Sequence, residues 1–351
     1  MPLRDWILGL FGRDPQAAEG QGRHRGPATH VVILDGTASS LAEGCETNAG
    51  LTFKLMREAG QRANLTVYYE AGIQWRDWRS TWDVMAGRGT NRLIRRAYGV
   101  LASRYRPGDR IILVGYSRGA FAARSLAGVI DMVGLLQPNH ATVSNIRTAY
   151  RHYEAGARSE AAAAFRKAYC LEKVEIEAVA VWDTVKALGI CWPIIWRWME
   201  SKHRFHNHAL GDAVRNGFHA LALDERRRAY APVLWECRPG WEGFMEQVWF
   251  RGTHGDIGGQ LSGREYARPL ANIPLVWMLE RLAMCGVPFP QGWQDRFVQD
   301  ATAPSIGAWA GVSKLFLNRA DRIVGTDPSE AIHASVPPRK ENEQAAPAFH
   351  S

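Results

Sequence analysis

The chain of 351 residues is poor in cysteine and has no cysteine pairs at metal-binding spacing. Its cysteines are odd in number and far apart in the sequence: Cys45, Cys170, Cys191, Cys237 and Cys285. A disulfide framework needs paired cysteines, and a structural zinc site usually needs closely spaced ligands. We therefore predict neither, expect no metal or other cofactor, and take folding in a reducing cytoplasm as the default.

Long hydrophobic runs and a signal peptide are also missing. No apolar run reaches the roughly 18 residues that a spanning helix needs. Residues 1–12 contain a short apolar stretch but lack the charged start and small-residue cleavage site of a signal peptide. A short surface-seeking helix and a loosely docked tail are both compatible with this segment.

The chain is basic, yet it lacks the motifs of nucleic-acid-binding proteins. Its 43 Lys and Arg residues against 35 Asp and Glu give a net charge of +8, spread along the sequence. No zinc finger, helix-turn-helix or interleaved basic and aromatic strand is present, so nucleic acid is not an expected partner. The surplus charge fits plain solubility, or a basic face that favours an anionic membrane surface.

Strand and helix patterns alternate through the middle of the chain. Short apolar runs typical of buried strands lie at residues 30–34, 65–69, 110–115, 174–182 and 247–250. Apolar residues at helical spacing lie at 48–63, 90–103, 118–133 and 273–284. This alternation predicts an α/β fold, with a mostly parallel central sheet and helices on both faces. Sites in such sheets gather at the carboxyl ends of the strands.

We divide the chain into one large domain and two flanking segments. Residues 1–29 are predicted to be a flexible N-terminal segment, and residues 335–351 a disordered tail, because both are rich in polar residues, Gly or Pro. Residues 30–334 form the predicted catalytic domain. A helical lid or insertion is expected in addition to the sheet, with insertions around 135–170 and 190–215.

The segment Gly115-Tyr116-Ser117-Arg118-Gly119 has the G-x-S-x-G pattern of a nucleophile elbow. It lies between a predicted strand and a predicted helix, where a sharp turn exposes the serine hydroxyl at the start of the helix. Glycines are needed there because side chains would collide with the sheet or the helix. We therefore predict an α/β-hydrolase-like fold with Ser117 as nucleophile. A turn in which Ser117 only caps the helix is the alternative.

A serine nucleophile needs a base, and the base needs an acid that holds its tautomer. His254 follows a predicted strand in a glycine-rich loop and is the candidate base. Asp183 ends the apolar run 174–182 and is the candidate acid, since a carboxylate there needs a partner. The alternative for Asp183 is that it only caps the following helix. Asp256 is a rival acid, but it lies two residues from His254 and can hardly contact the far side of the imidazole.

Other residues are candidates for the oxyanion hole and for substrate binding. The backbone N–H of Arg118, with that of Gly36 or Thr37 after the first strand, would receive the oxyanion. Arg88 precedes a helix and is a candidate headgroup contact, unless this turn is a plain cap formed by Thr90. The tryptophans of residues 191–199, Trp192 and Trp196 among them, fit a lid or interfacial patch and equally a core.

With these motifs, the chain resembles the α/β-hydrolase catalytic domain of bacterial type VI secretion phospholipase effectors, the first lipase-effector family. The matching segments lie roughly between residues 30 and 290: 35–37, 87–89, 115–128, 181–189, 219–226 and 248–259. The resemblance implies Ser117 as nucleophile, Asp183 as acid, His254 as base, and phospholipid esters as substrate. It departs at Gln260, where the family usually continues its glycine run.

The resemblance also bears on partners and location. It adds an immunity protein and a secretion-spike protein as candidate partners, and export by type VI secretion without a signal peptide as the alternative to the cytoplasm. No delivery domain is evident in the sequence. A soluble carboxylesterase or thioesterase and a non-catalytic partner-binding protein remain the competing functions.

Overall fold

A computed structural model of the chain describes residues 26–60, 64–72, 88–185, 208–307 and 318–338. Seven strands form one sheet in which every neighbouring pair is parallel. The strands are β1 (Thr29–Leu34), β2 (Leu65–Glu70), β3 (Arg110–Tyr116), β4 (Ile176–Trp182), β5 (Val214–Ala222), β6 (Phe244–Phe250) and β7 (Glu330–Ile332). Their order in the sheet is β2-β1-β3-β4-β5-β6-β7.

Helices cover both faces of the sheet. They are α1 (Asn48–Gly60), α2 (Arg88–Arg104), α3 (Arg118–Val133), α4 (Val143–Glu154), α5 (Glu160–Tyr169), α6 (His254–Gly258) and α7 (Arg268–Met284). One hydrophobic cluster joins α2, α3, α4 and α5 to the sheet, and the other joins α1, α6 and α7 to it. The predicted α/β fold with helices on both faces is confirmed.

Successive residues of the central strands point into the two clusters in turn, as a pleated strand requires. In β1, Val32 and Leu34 belong to the cluster around α3, whereas Val31 and Ile33 belong to the cluster around α7. Both faces of the sheet are covered by helices, so the side chains on both faces are apolar and the sequences of these strands are continuous hydrophobic runs.

The chain changes its direction of winding at β1. From β1 it moves outward to β2, and then returns past β1 to β3 and on through β7. A crevice opens at the carboxyl ends of the strands at such a switch point, and ligands of α/β sheets usually bind there. The loop after β1 and the start of α3 therefore lie where a site is expected.

Several boundaries differ from the sequence-based ones. β5 and β7 were not predicted, and α7 begins five residues before the predicted 273 and continues through Pro274. Helices α4 and α5 occupy the predicted insertion at 135–170, while 190–207 of the second insertion lies outside the described residues. In the described ranges, no helix is both long and apolar enough to cross a bilayer.

Candidate active site

Ser117 occupies a strained turn between β3 and α3. Its φ of 58° lies in a region that residues with a side chain rarely adopt. The flanking glycines make the turn possible by close approach. A Cβ atom on Gly115 would lie 2.6 Å from the Cα of Ala120, and one on Gly119 would overlap the carbonyl oxygen of Leu34. The turn thus fixes the serine between the sheet and the helix start, as the G-x-S-x-G pattern predicted.

Three side chains form a continuous hydrogen-bonded series at this edge. His254 Nε2 lies 2.8 Å from Ser117 Oγ, and His254 Nδ1 lies 2.6 Å from Asp183 Oδ2. All three residues are buried. In this arrangement the carboxylate accepts the Nδ1 proton, so Nε2 is left as the acceptor for the serine hydroxyl. The three residues come from loops after β3, β4 and β6.

Asp183 has a second, cationic partner that the sequence did not reveal. Arg322 holds the carboxylate with both ends of its guanidinium: Nη1 lies 2.5 Å from Oδ1, and Nη2 lies 3.0 Å from Oδ2. The same guanidinium donates to the carbonyl oxygens of Ala222 and Tyr230. Burial favours the neutral acid, but the charge and hydrogen bonds of Arg322 and His254 outweigh it and hold the pKa of Asp183 below its ordinary value.

The backbone of Asp183 is also fixed. Its φ is 38°, a left-handed conformation that is costly for a residue with a side chain. Its Oδ1 accepts the N–H of Ala222 at 3.0 Å, and its own N–H donates to the carbonyl oxygen of Ala220. Both contacts come from β5, so the neighbouring strand sets the direction of the carboxylate.

His254 begins the short helix α6, and its ring is held by aromatic neighbours. The ring stacks on Tyr116 at 5.0 Å between centroids and meets Tyr230 at 4.8 Å. Its backbone N–H donates to Glu225, a buried carboxylate that also pairs with Arg227. This second ion pair therefore fixes the histidine backbone, just as Arg322 fixes its acid.

The rival acid Asp256 has another structural role. Its Oδ2 accepts hydrogen bonds from the N–H and hydroxyl of Thr253 at 2.7 and 2.8 Å, in a capping box at the start of α6. It also accepts bonds from Ser305 and from the N–H of Ile306. The carboxylate caps a helix and ties down a later loop, so Asp183, and not Asp256, lies against the imidazole.

A second buried histidine lies behind the acid loop. His219 on β5 accepts the N–H of Thr184 at Nε2, 3.1 Å away, and its Nδ1 lies 3.3 Å from Gln247 Oε1. Burial, reinforced by the charge of Arg124, lowers the pKa of His219 to about 3. The ring is thus neutral near pH 7 and holds the residue that follows Asp183.

The two alternatives for the second oxyanion donor differ in the structure. The N–H of Gly36 donates to the carboxylate of Asp35 at 2.6 Å. Among the described residues, no acceptor is found for the N–H of Thr37, while the carbonyl oxygen of Thr37 accepts from Gln260 at 2.9 Å. The N–H of Arg118 lies at the first position of α3, where helices leave N–H groups unbonded.

A small cavity lies at these donors. Residues from the loop after β1, the start of α2 and the start of α3 line it, among them Asp35, Thr37, Gly89, Thr90, Arg118 and Gly119. Thr37 and Arg118 thus both line this cavity. Because the N–H of Gly36 is already bonded to Asp35, the N–H of Thr37 is the one of the two candidates that is left for an oxyanion.

The remaining predicted substrate contacts are only partly placed. Arg88 is the first residue of α2, and its side chain lies outside the described structure. Trp192 and Trp196 lie outside the described residues altogether. Among the residues that are described, no group of three or more His, Cys, Asp or Glu side chains could hold a metal ion.

Comparison with known proteins points to one family. The model of the family "T6SS, Phospholipase effector Tle1-like, catalytic domain" matches residues 29–281. An uncharacterized protein of Saccharomyces cerevisiae, YEL023C, is 26% identical over 263 residues, which are 66% of this chain and 37% of the yeast protein. The similarity thus extends beyond bacteria.

Two solved structures also match the chain. An uncharacterized protein from Pseudomonas aeruginosa is 14% identical, with a TM-score of 0.43 over 85% of this chain and 51% of its own. The Tle1 effector bound to the VgrG spike of the type 6 secretion system is 16% identical, with a TM-score of 0.34 over 67% and 51%. The chain thus spans 37% of the yeast protein and about half of each solved structure.

Proposed function

Because the chain belongs to the family of Tle1-like catalytic domains of T6SS phospholipase effectors, we propose that it is a serine acyl hydrolase that cleaves phospholipid esters. Ser117 is the nucleophile, His254 the general base and Asp183 the orienting acid. The observation that carries the proposal is the unbroken hydrogen-bonded series from Ser117 through His254 to Asp183, at 2.8 and 2.6 Å.

The first half-reaction forms an acyl-enzyme. His254 Nε2 takes the proton of Ser117 as Oγ attacks the ester carbonyl carbon. The negative charge that develops on the carbonyl oxygen is received by the N–H groups of Arg118 and Thr37, near the positive end of α3. As the carbon–oxygen bond to the alcohol breaks, His254 gives its proton to the leaving oxygen, and a lysophospholipid departs.

The second half-reaction restores the serine. His254 takes a proton from water, whose oxygen attacks the acyl carbon, and the proton then passes to Ser117 Oγ as the fatty acid leaves. Asp183 keeps the imidazole in one tautomer and stabilises its positive charge in both halves. Arg322 keeps Asp183 ionised and fixed in direction, so the base is ready before substrate arrives.

The test compares the chain with its Ser117→Ala variant. Purified protein is expected to release fatty acid from phospholipid vesicles and to react with a fluorophosphonate probe, and Ser117→Ala should lose both activities. Full activity in the variant would refute the mechanism. Turnover of dissolved short esters but not of vesicles would favour the soluble carboxylesterase or thioesterase, and absence of labelling in the unmodified chain would favour a non-catalytic binding protein.

The family also supports a proposal about delivery. We propose that the protein is exported by a type VI secretion system and docks on a spike protein, as the Tle1 effector in the solved complex does. Co-purification of the full chain with a spike protein encoded by the same genome would test it. An immunity protein that blocks lipid hydrolysis remains a further prediction.

A further inference from the structure

Several arginine side chains are almost completely buried in the described structure, and the Nη1 atom of one of them, Arg118, lacks a hydrogen-bond partner. Arg118, Arg124 and Arg227 are 7%, 3% and 7% exposed. Arg227 pairs with Glu225, and Arg124 donates to backbone carbonyl groups and lies 4.6 Å above the ring of Trp235. The Nη1 atom of Arg118 is buried without any hydrogen-bond acceptor, and no ion pair joins its side chain to a described residue.

Such an arrangement is costly without a ligand. A buried guanidinium loses its hydration. In folded proteins this cost is normally offset by hydrogen bonds or ion pairs to carboxylates or carbonyl oxygens. Burial lowers the pKa of Arg118, and the phenol of Tyr230 offsets only part of this effect. An anion that entered the site would supply the missing acceptor.

The position of Arg118 places this cation beside Ser117 and His254. It directly follows Ser117 in the chain and lines a small cavity together with Thr37 and Asp35. Its guanidinium is close enough to Tyr230 for the two groups to affect each other's pKa, and Tyr230 packs against the ring of His254. The side chain therefore lies among the groups that surround the reacting ester.

We propose that the guanidinium of Arg118 binds the phosphate of the substrate phospholipid and thereby determines the preference for phospholipids over neutral esters. The inference rests on the proposed function and adds the residue that selects the substrate class. In a glycerophospholipid only a short glycerol carbon chain separates the phosphate from the acyl esters. A residue next to the nucleophile can thus bind the phosphate while Ser117 attacks the ester, and the planar fork of an arginine matches two phosphate oxygens.

The test compares two soluble substrates that carry the same short acyl chains, a phosphatidylcholine and the corresponding diacylglycerol. The ratio of their kcat/KM values is measured for the unmodified chain and for Arg118→Gln, Arg118→Lys and Arg147→Gln. Because hydrogen bonds to charged groups are worth roughly 10- to 100-fold in affinity, Arg118→Gln should lower the ratio by that factor. Arg118→Lys should recover part of it. Arg147 is an exposed arginine on α4, so its variant should keep the original ratio.

A stability measurement separates this role from a structural one. In phosphate-free buffer, Arg118→Met should match or exceed the Tm of the unmodified chain, because the substitution removes an unpaired buried charge. Inorganic phosphate should raise the Tm of the unmodified chain and leave that of Arg118→Met unchanged.

Two results would overturn the inference: an unchanged substrate ratio in Arg118→Gln, or the same response to phosphate in both proteins. If neither substrate is hydrolysed and Ser117 is not labelled by the fluorophosphonate, the proposed function fails instead. In that case the phosphate response alone decides whether Arg118 is an anion site, and it also detects binding of free phosphate without any lipid.

Discussion

At the scale of single residues, the site depends on how Asp183 is kept ionised in a buried position. The carboxylate is completely buried, where the neutral acid would normally be favoured. Asp183 is contacted by His254 and by both ends of Arg322. Other titratable groups lie near Asp183 or His254: His219, Tyr116, Tyr230 and the Glu225–Arg227 pair. Among the described residues, Arg322 is the only cation paired directly with the acid apart from His254.

We predict that Arg322→Gln lowers the free energy of unfolding and narrows the pH range of activity. Removing one partner of a buried ion pair usually costs about 3–5 kcal/mol. Without the cation, burial dominates and the pKa of Asp183 rises, so the carboxylate becomes protonated at a higher pH. Urea unfolding at neutral pH and activity between about pH 4 and pH 8 would measure the two effects.

The sign of the pH effect follows from the depressed pKa of Asp183. In the unmodified chain the stabilisation from this group is present above the ordinary aspartate pKa and is lost as the pH falls through the lower folded value. In Arg322→Gln the acid-side loss of activity should therefore move to higher pH. Arg226→Gln, which removes an exposed pair with Asp321 in the same segment, should show neither effect. An unchanged acid limb in Arg322→Gln would contradict the role of the cation.

At the scale of elements, β5 is the strand that fixes the residues after β4, Asp183 and Thr184. Its backbone and side chains contact both Asp183 and Thr184, through Ala220, Ala222 and His219. His219 is completely buried and neutral. Its Nε2 can accept the N–H of Thr184 only while the ring proton is on Nδ1. This strand therefore couples the geometry of the acid to the protonation of a core histidine.

We predict that His219 makes the fold sensitive to acid. Its folded pKa of about 3 lies below the ordinary value of 6.5, so the unfolded chain binds a proton that the folded chain excludes between these two values. Stability is fully present above pH 6.5 and falls by an amount on the order of a few kcal/mol as the pH drops toward 3. Denaturant midpoints at neutral and mildly acidic pH would measure the loss.

The matched variant is His219→Gln, whose amide can still accept the N–H of Thr184. It is expected to be less stable at neutral pH because its packing against Trp235 changes. Its stability should nevertheless fall less between the two pH values than that of the unmodified chain. An equally steep fall in the variant would show that another group carries the acid sensitivity.

Elements with a local signal were predictable from the sequence, and those without one were not. The apolar strand β3 and the elbow after it follow from neighbouring residues alone. Strand β5 was missed because Arg215, Asn216 and His219 interrupt its apolar pattern. In the fold, Asn216 donates to the carbonyl oxygen of Glu177 and His219 bonds Thr184, so both polar side chains are satisfied across the sheet.

Arg322 is the clearest example of a residue whose role could not be predicted from the sequence. It lies 139 positions from Asp183 in the sequence, and no local motif connects the two. Its contact exists only because residues 318–338 return to the carboxyl edge of the sheet. His254 and Asp183 could be proposed as base and acid from their positions at strand ends, whereas the contact between Asp183 and Arg322 is visible only in the folded chain.

At the scale of the whole molecule, the structure extends the site beyond the matched family region. The family model covers residues 29–281, while Arg322 and β7 lie after it. Strand β7 adds to the edge of the sheet through β6, and Glu330 at its start accepts the indole N–H of Trp249 at 2.7 Å. Residues 318–338 thus supply both the last strand of the sheet and the guanidinium that pairs with Asp183.

We predict that a chain ending at residue 317 is less stable and catalytically impaired, because it loses both β7 and the guanidinium beside Asp183. A chain ending at residue 338 keeps both and should retain activity within about twofold, since changes away from buried features usually have small effects. Fatty-acid release and thermal unfolding of the two truncated proteins would be compared with those of the full chain. If the shorter protein matched the longer one in both measurements, the segment would be dispensable, and His254 alone would suffice to keep Asp183 ionised and in place.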